Sequence, residues 1–188
     1  MSAANGSTQS RDLLFAGRHN AVEGKNPRSL HAPLDWQSQS NSLVGMTVIS
    51  GDCMKAHLSR RYRFSASHRL HSEQMSEAEN QTTYGKCNNP HGHGHNYALE
   101  VTVSGEVDES TGMICNLVDL DECVRREIVT RFDLENLNMR PEFAEPVPTT
   151  ENLCTVIYDI LKREFDKAHL DKVRLEETMM NSFEYDGD

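Results

Sequence analysis

Between Arg61 and His68 the chain alternates strictly. Tyr62, Phe64, Ala66 and His68 share one parity and Arg61, Arg63, Ser65 and Ser67 the other, which is the period of a half-buried strand. A polar loop over residues 72–90 separates it from a second strand, where Tyr97, Leu99, Val101 and Val103 alternate with Ala98, Glu100, Thr102 and Ser104. Turn-forming residues from Glu106 to Met113 then predict a hairpin partner running through Met113, Ile114 and Cys115. The spacing next becomes helical, with Leu117, Leu120, Val124 and Ile128 on one stripe and Asp121, Glu122, Arg125 and Arg126 off it. A second helix starts at Thr149-Thr150-Glu151-Asn152 and carries Leu153, Val156, Ile157, Ile160 and Leu161 on one face. Val173, Leu175 and Glu177 share a strand face, Met179 to Ser182 form a turn, and Phe183 and Tyr185 belong to a last strand. This order predicts an α+β domain, an antiparallel sheet with two helices on one face.

The first 53 residues break this picture. They are rich in Ser, Asn, Gly, Gln and His and keep no period, so residues 1–56 are expected to be a disordered extension and 57–188 the folded domain. Within the extension, Leu43 to Ser50 has the composition of a stray strand, and Met54 has the setting of a native start. A length of 188 residues with 37% apolar content suits one compact core. The formal charge of −10, from 19 basic and 29 acidic residues, argues against nucleic acid as a partner. No run approaches the roughly 20 apolar residues of a membrane span, and no signal-peptide pattern opens the chain, so a cytoplasmic, membrane-free protein is expected. The five cysteines are odd in number and scattered, without the paired CxxC spacing of a zinc or redox motif, which argues against a disulfide framework; Cys123 and Cys154 read as small buried hydrophobes on helix faces.

The segment Gly85 to Tyr97 holds the candidate chemistry. His91, His93 and His95 alternate into the second strand, where imidazoles of one parity converge, and the glycines between them leave room for the backbone to bend around a metal. His68 ends the first strand on its apolar face, where an unpartnered imidazole would be costly. Three neutral imidazoles with one open position describe a catalytic zinc site.

Several blocks together resemble the 6-pyruvoyltetrahydropterin synthase family: Phe64-Ser65-Ala66-Ser67-His68-Arg69-Leu70, Cys87-Asn88-Asn89-Pro90 with Gly92-His93-Gly94-His95-Asn96-Tyr97, Thr111-Gly112-Met113, Asn116-Leu117, and Thr149-Thr150-Glu151-Asn152. The resemblance implies a tunnelling fold whose subunits join their sheets into a β-barrel, commonly a hexamer of two trimers with active sites between subunits. It implies zinc held by His68, His93 and His95, and a lyase reaction that removes triphosphate from 7,8-dihydroneopterin triphosphate. The product would be 6-pyruvoyltetrahydropterin for tetrahydrobiopterin synthesis, or 6-carboxytetrahydropterin in the queuosine branch. The six-residue gap from Cys87 to His93 matches the pyruvoyl pattern, and the ligand pair His91 and His93 stays open as a minor alternative.

By the same resemblance Cys87 is the general base, Glu177 anchors the pterin ring, and Thr149, Thr150 and Glu151 supply a second pterin-contacting segment, although Thr149 and Thr150 also suit a helix cap. Asp133 matches the aspartate of an Asp-His proton relay, but the next residue is Leu134, which carries no proton. This departure keeps a second expectation open, a catalytically weak homologue that binds zinc and pterin. Lys86 and Arg69 tempt as phosphate partners, but exposed basic residues are usually solvated.

Overall fold

The computed structural model describes residues 54–188; the expected extension up to residue 53, with the Leu43–Ser50 run, lies outside the described residues. Strand β1 (Lys55–His68) already begins inside the stretch assigned to the extension. It pairs antiparallel along its whole length with β2 (His93–Glu106), from Lys55 opposite Glu106 to His68 opposite His93. Strand β4 (His169–Thr178) flanks β2, and β5 (Asn181–Tyr185) flanks β4. A two-residue β3 (Glu135–Asn136) lies parallel to β1 at Ala66 and Ser67, giving the order β3-β1-β2-β4-β5. The sheet is therefore mixed, not wholly antiparallel as the sequence suggested. Asp133 is the reason: its Oδ1 accepts from the Ser65 amide at 2.8 Å and draws the following residues alongside β1.

Two other expectations are corrected. The loop over 72–90 contains α1 (Glu77–Tyr84), which has no apolar stripe but starts with a capping box between Ser76 and Glu79. Met113 to Cys115 is not a strand. The Asp108 carboxylate accepts from the amides of Ser110 and Thr111, the Asp108 amide donates to the Met113 carbonyl, and the turn is followed at once by Asn116, the N-cap of α2 (Leu117–Val124). Helix α2 runs through a π-helical turn (Arg125–Val129) into α3 (Thr130–Phe132), and α4 (Thr150–Glu164) follows.

One face of the sheet is closed by these helices. Leu99, Val101, Val103, Val173 and Leu175 meet Leu120, Val124, Ile128, Phe132, Leu153, Ile157 and Leu161, all fully buried, each contributing about 1.5–3 kcal/mol of apolar burial. Cys123 and Cys154 are buried in the same core. The opposite face is a ladder of ion pairs, with Arg61 to Glu176 at 2.8 Å, Arg174 to Glu176 at 3.6 Å and Lys172 to Glu184 at 2.8 Å. Exposed pairs of this kind add only about 0–1 kcal/mol apiece, so their main effect is to keep the face polar. No described helix is long and apolar enough to cross a membrane.

Leu134 stands out in the backbone. It is the one non-glycine residue with positive φ among the described residues, at 61°, and its side chain is 85% exposed. A β-carbon in this left-handed region costs roughly 1–2 kcal/mol, and Asn tolerates it better than Leu. Leu134→Asn is therefore expected to raise stability by about 1 kcal/mol in thermal denaturation of the full chain. A drop instead would mean that the leucine side chain is covered in the assembled protein.

Candidate active site

The β1–β2 register creates the site. His68 lies directly opposite His93, and His95 lies opposite Ala66, whose small side chain leaves space beside the imidazole. All three rings project from one face, with centroids 4.7, 5.2 and 4.8 Å apart. Their ligand atoms lie within 4.8 Å of one another and form the one such cluster of metal-binding side chains among the described residues. Gly92, at φ 69°, makes the approach possible, because a Cβ there would meet the His68 carbonyl at 2.9 Å. Gly94 differs from the sequence expectation: it sits in regular strand, with ordinary contacts, and bends nothing.

The tautomer of His68 is fixed. Its Nδ1–H donates to the Pro148 carbonyl at 2.7 Å, which leaves the Nε2 lone pair facing His93 Nε2 at 3.2 Å. Two imidazole nitrogens sharing a tetrahedral ion at about 2.0–2.1 Å would stand roughly 3.3 Å apart. Burial and the neighbouring imidazoles hold His68 below its ordinary pKa, and His93 is lowered by burial and by His95, so both stay neutral. His95 Nε2 is buried without a hydrogen-bond partner. Imidazole nitrogens at this spacing, with one of them buried and unpartnered, fit a tetrahedral metal ion. His91 is exposed and outside the cluster.

Glu177 completes this corner, with Oε1 at 3.6 Å from His95 Nε2 and 3.8 Å from His68 Nε2. Thr150 Oγ1 donates to Oε1 at 2.6 Å and Asn181 Nδ2 donates to Oε2 at 3.1 Å. Burial pushes the Glu177 carboxyl up, but these hydrogen bonds and the two imidazoles outweigh it and leave the group below the usual carboxylate value. Asn181 and the Pro148 carbonyl were invisible to sequence reasoning, which had no way to place a turn amide and a loop carbonyl beside residues so distant in the chain.

The other candidates fall in different places. Thr149 caps α4 by accepting from the Asn152 amide, Thr150 is buried against Glu177, and Glu151 is exposed in the first turn. Cys87 is half-buried in a 3₁₀ turn (Gly85–Asn88), its carbonyl accepting from the Leu70 amide at 2.9 Å. Asp133 is bound to the β1 backbone, and among the described residues no hydrogen bond joins Cys87 to Asp133 or to the three histidines. Leu134 and Glu135 line a shallow cavity shared with Ser65, Ser67 and His95.

Comparison with known proteins agrees with this geometry. A family model described as 6-pyruvoyl tetrahydropterin synthase matches residues 57–188. The 6-pyruvoyl tetrahydrobiopterin synthase of Homo sapiens is 47% identical over 135 residues, covering 71% of this chain and 93% of the relative. That of Drosophila melanogaster is 47% identical over 134 residues, covering 70% and 80%. Among solved structures, the 6-pyruvoyl tetrahydropterin synthase of Caenorhabditis elegans superposes with a TM-score of 0.69 at 40% identity, covering 72% of this chain and 97% of that one. With its histidine cluster, its Glu177 corner and these relatives, the chain belongs to the 6-pyruvoyl tetrahydropterin synthase family.

Proposed function

We propose that this pterin synthase is a zinc-dependent carbon–oxygen lyase that eliminates triphosphate from 7,8-dihydroneopterin triphosphate to give 6-pyruvoyltetrahydropterin. The observation that carries the reading is the convergence of His68, His93 and His95 beside an ionised, doubly hydrogen-bonded Glu177. Zinc, held by the three imidazoles, would supply Lewis acidity to the side-chain oxygen of the substrate.

The remaining steps belong to the chain itself. Glu177 still has lone pairs free after accepting from Thr150 and Asn181, and it receives the two N–H donors on the edge of the pterin ring. Thr150 fixes the carboxylate rotamer, while Thr149 fixes the start of the helix that carries Thr150. Cys87 takes the proton from the side-chain carbon next to the polarised oxygen, as the general base of the reaction. Asp133, with Leu134 beside it, positions backbone, and among the described residues no imidazole is hydrogen-bonded to it as a relay partner. The working form is a homo-oligomer in the cytoplasm, in which a neighbouring subunit closes the site.

Leu134, which carries no proton where the family pattern has a relay histidine after the aspartate, favours one second reading, a slow homologue that binds metal and pterin. The test incubates the zinc-loaded full chain with 7,8-dihydroneopterin triphosphate and follows products by mass spectrometry, with a metal-stripped control. Release of triphosphate with a 6-pyruvoyl product that disappears on stripping supports the lyase. A 6-carboxy product moves the chain to the other branch, and binding without turnover selects the slow homologue.

A further inference from the structure

Strand β4 leaves the regular ladder twice. Against β2, Val103 pairs with Leu170 and Thr102 with Lys172, so Asp171 is an extra residue; against β5, Glu176 pairs with Ser182 and Thr178 with Asn181, so Glu177 is another. Bulges of this kind re-aim a side chain. The second turns Glu177 toward two imidazoles and the Thr150 hydroxyl. The first does the same for Asp171 at the opposite end of the sheet. Leu170 and Val173 both point into the core, which keeps Asp171 on the polar face. There Ser104 Oγ donates to Asp171 Oδ1 at 2.6 Å, His57 Nδ1 donates to Oδ2 at 2.7 Å, and His169 Nε2 lies 3.9 Å from Oδ1.

Strand register creates this group. His57 lies opposite Ser104 across β1 and β2, and Ser104 lies opposite His169 across β2 and β4, so the three form one row on one face. With strands about 4.7–4.9 Å apart, the two histidine backbones stand roughly 9.5 Å apart, a gap that two imidazoles meeting at one ion can span. The rings are not converged as those of His68, His93 and His95 are, but they are free to turn. Their side chains are 72% and 65% exposed, whereas Asp171, at 22%, is held by Ser104. An ion replacing the His57 Nδ1 proton needs nitrogen and oxygen roughly 3.3 Å apart, so His57 moves out from the carboxylate, and His169 moves in, by about 0.6 Å each. Lys172, on the same face, is engaged by Glu184 at 2.8 Å.

We propose that His57, Asp171 and His169 form a second metal site, for a divalent transition ion of the zinc class, with Ser104 orienting the carboxylate. Two imidazoles select against Mg²⁺ and Ca²⁺, which take oxygen ligands. The ion clamps β1, β2 and β4 together about 35 Å along β1 from His68, and none of its ligands takes part in the lyase reaction.

The test titrates Zn²⁺ calorimetrically into the untagged full chain already carrying one zinc per chain. A second event near one ion per chain is expected, and Mg²⁺ is expected to give none. Removing a group that only orients a ligand costs about 10–100-fold in metal affinity, so loss of a ligand itself, in His169→Ala or Asp171→Asn, should weaken the second event by at least about tenfold. Each variant should retain its first zinc by native mass spectrometry. His169→Ala, at an exposed position, keeps the result readable where Asp171→Asn does not fold. Replacing His19 and His31 together by alanine, in the segment before Met54, should leave the second event intact. Absence of a second event, its survival in both His169→Ala and Asp171→Asn, or its loss on replacing His19 and His31 overturns the site. So does an Asp171-dependent event that His57→Ala and His169→Ala leave unchanged, which would reduce the group to a carboxylate.

Discussion

Cys87→Ala protein is expected to keep its zinc and its affinity for dihydroneopterin while losing turnover by about 10²–10⁴, the usual contribution of a positioned general base. The structural reason for expecting a clean loss is that Cys87 is tied into the fold through its backbone. Its carbonyl receives the Leu70 amide, while the neighbouring Asn88 makes the side-chain contacts to Leu70 and His71. Alanine keeps all of these. Thermal denaturation, zinc content and single-turnover kinetics on the same preparation separate the effects. Turnover within a few-fold of the parent would remove the thiol from the mechanism and shift attention to an imidazole.

Glu177→Gln should act on binding instead. The substitution conserves shape but replaces one acceptor oxygen with an N–H₂ group, which faces the donors of Thr150 and Asn181 and the N–H edge of the pterin. Loss of charge-assisted hydrogen bonds worth about 1.5–3 kcal/mol each predicts a fall in dihydroneopterin affinity of roughly a hundredfold or more. The pH dependence has a defined sign. The Glu177 carboxyl titrates below its ordinary value of 4.5, so its contribution is present above that pH and is lost only as the pH falls through the lower folded value. His68 and His93 are lowered from 6.5 by burial, and their neutral forms also persist as the pH drops from 7 toward the ordinary imidazole range. Titrating binding from pH 8 to pH 4 should therefore show no loss near pH 6.5 that Glu177→Gln removes. Such a loss would place another group at the ring.

How much of this was legible in the sequence depended on what kind of signal each element leaves. Strands β1 and β2 and helix α4 have one buried face, so their apolar residues repeat at the strand or helix period and could be read directly. Helix α1 buries only Asn80, so periodicity passed over it, and the capping box at Ser76 was its sole trace. The β3 bridge covers two residues and depends on an aspartate contacting a distant backbone amide, which no local pattern encodes. The hairpin expected at Met113 failed because β-prone residues there are used up between an Asp108-closed turn and an Asn116 cap.

At the site, the histidines were legible because they continue the strand parity, whereas Glu177 was singled out through the family resemblance. Their supports were not. The Pro148 carbonyl that sets the His68 tautomer and the Asn181 amide on Glu177 come from turns whose position only the fold determines.

The pairing of His68 with His93 also ties ligand geometry to strand alignment. In a sheet with one closed face, sliding β1 by one residue against β2 would turn His68 away from its partners and carry Phe64 and Ala66 out of the core at the same time. An ion captured by the three imidazoles is compatible with one alignment only, so it would act during folding as a proofreader, trapping the correctly aligned hairpin and leaving slipped ones free to dissociate.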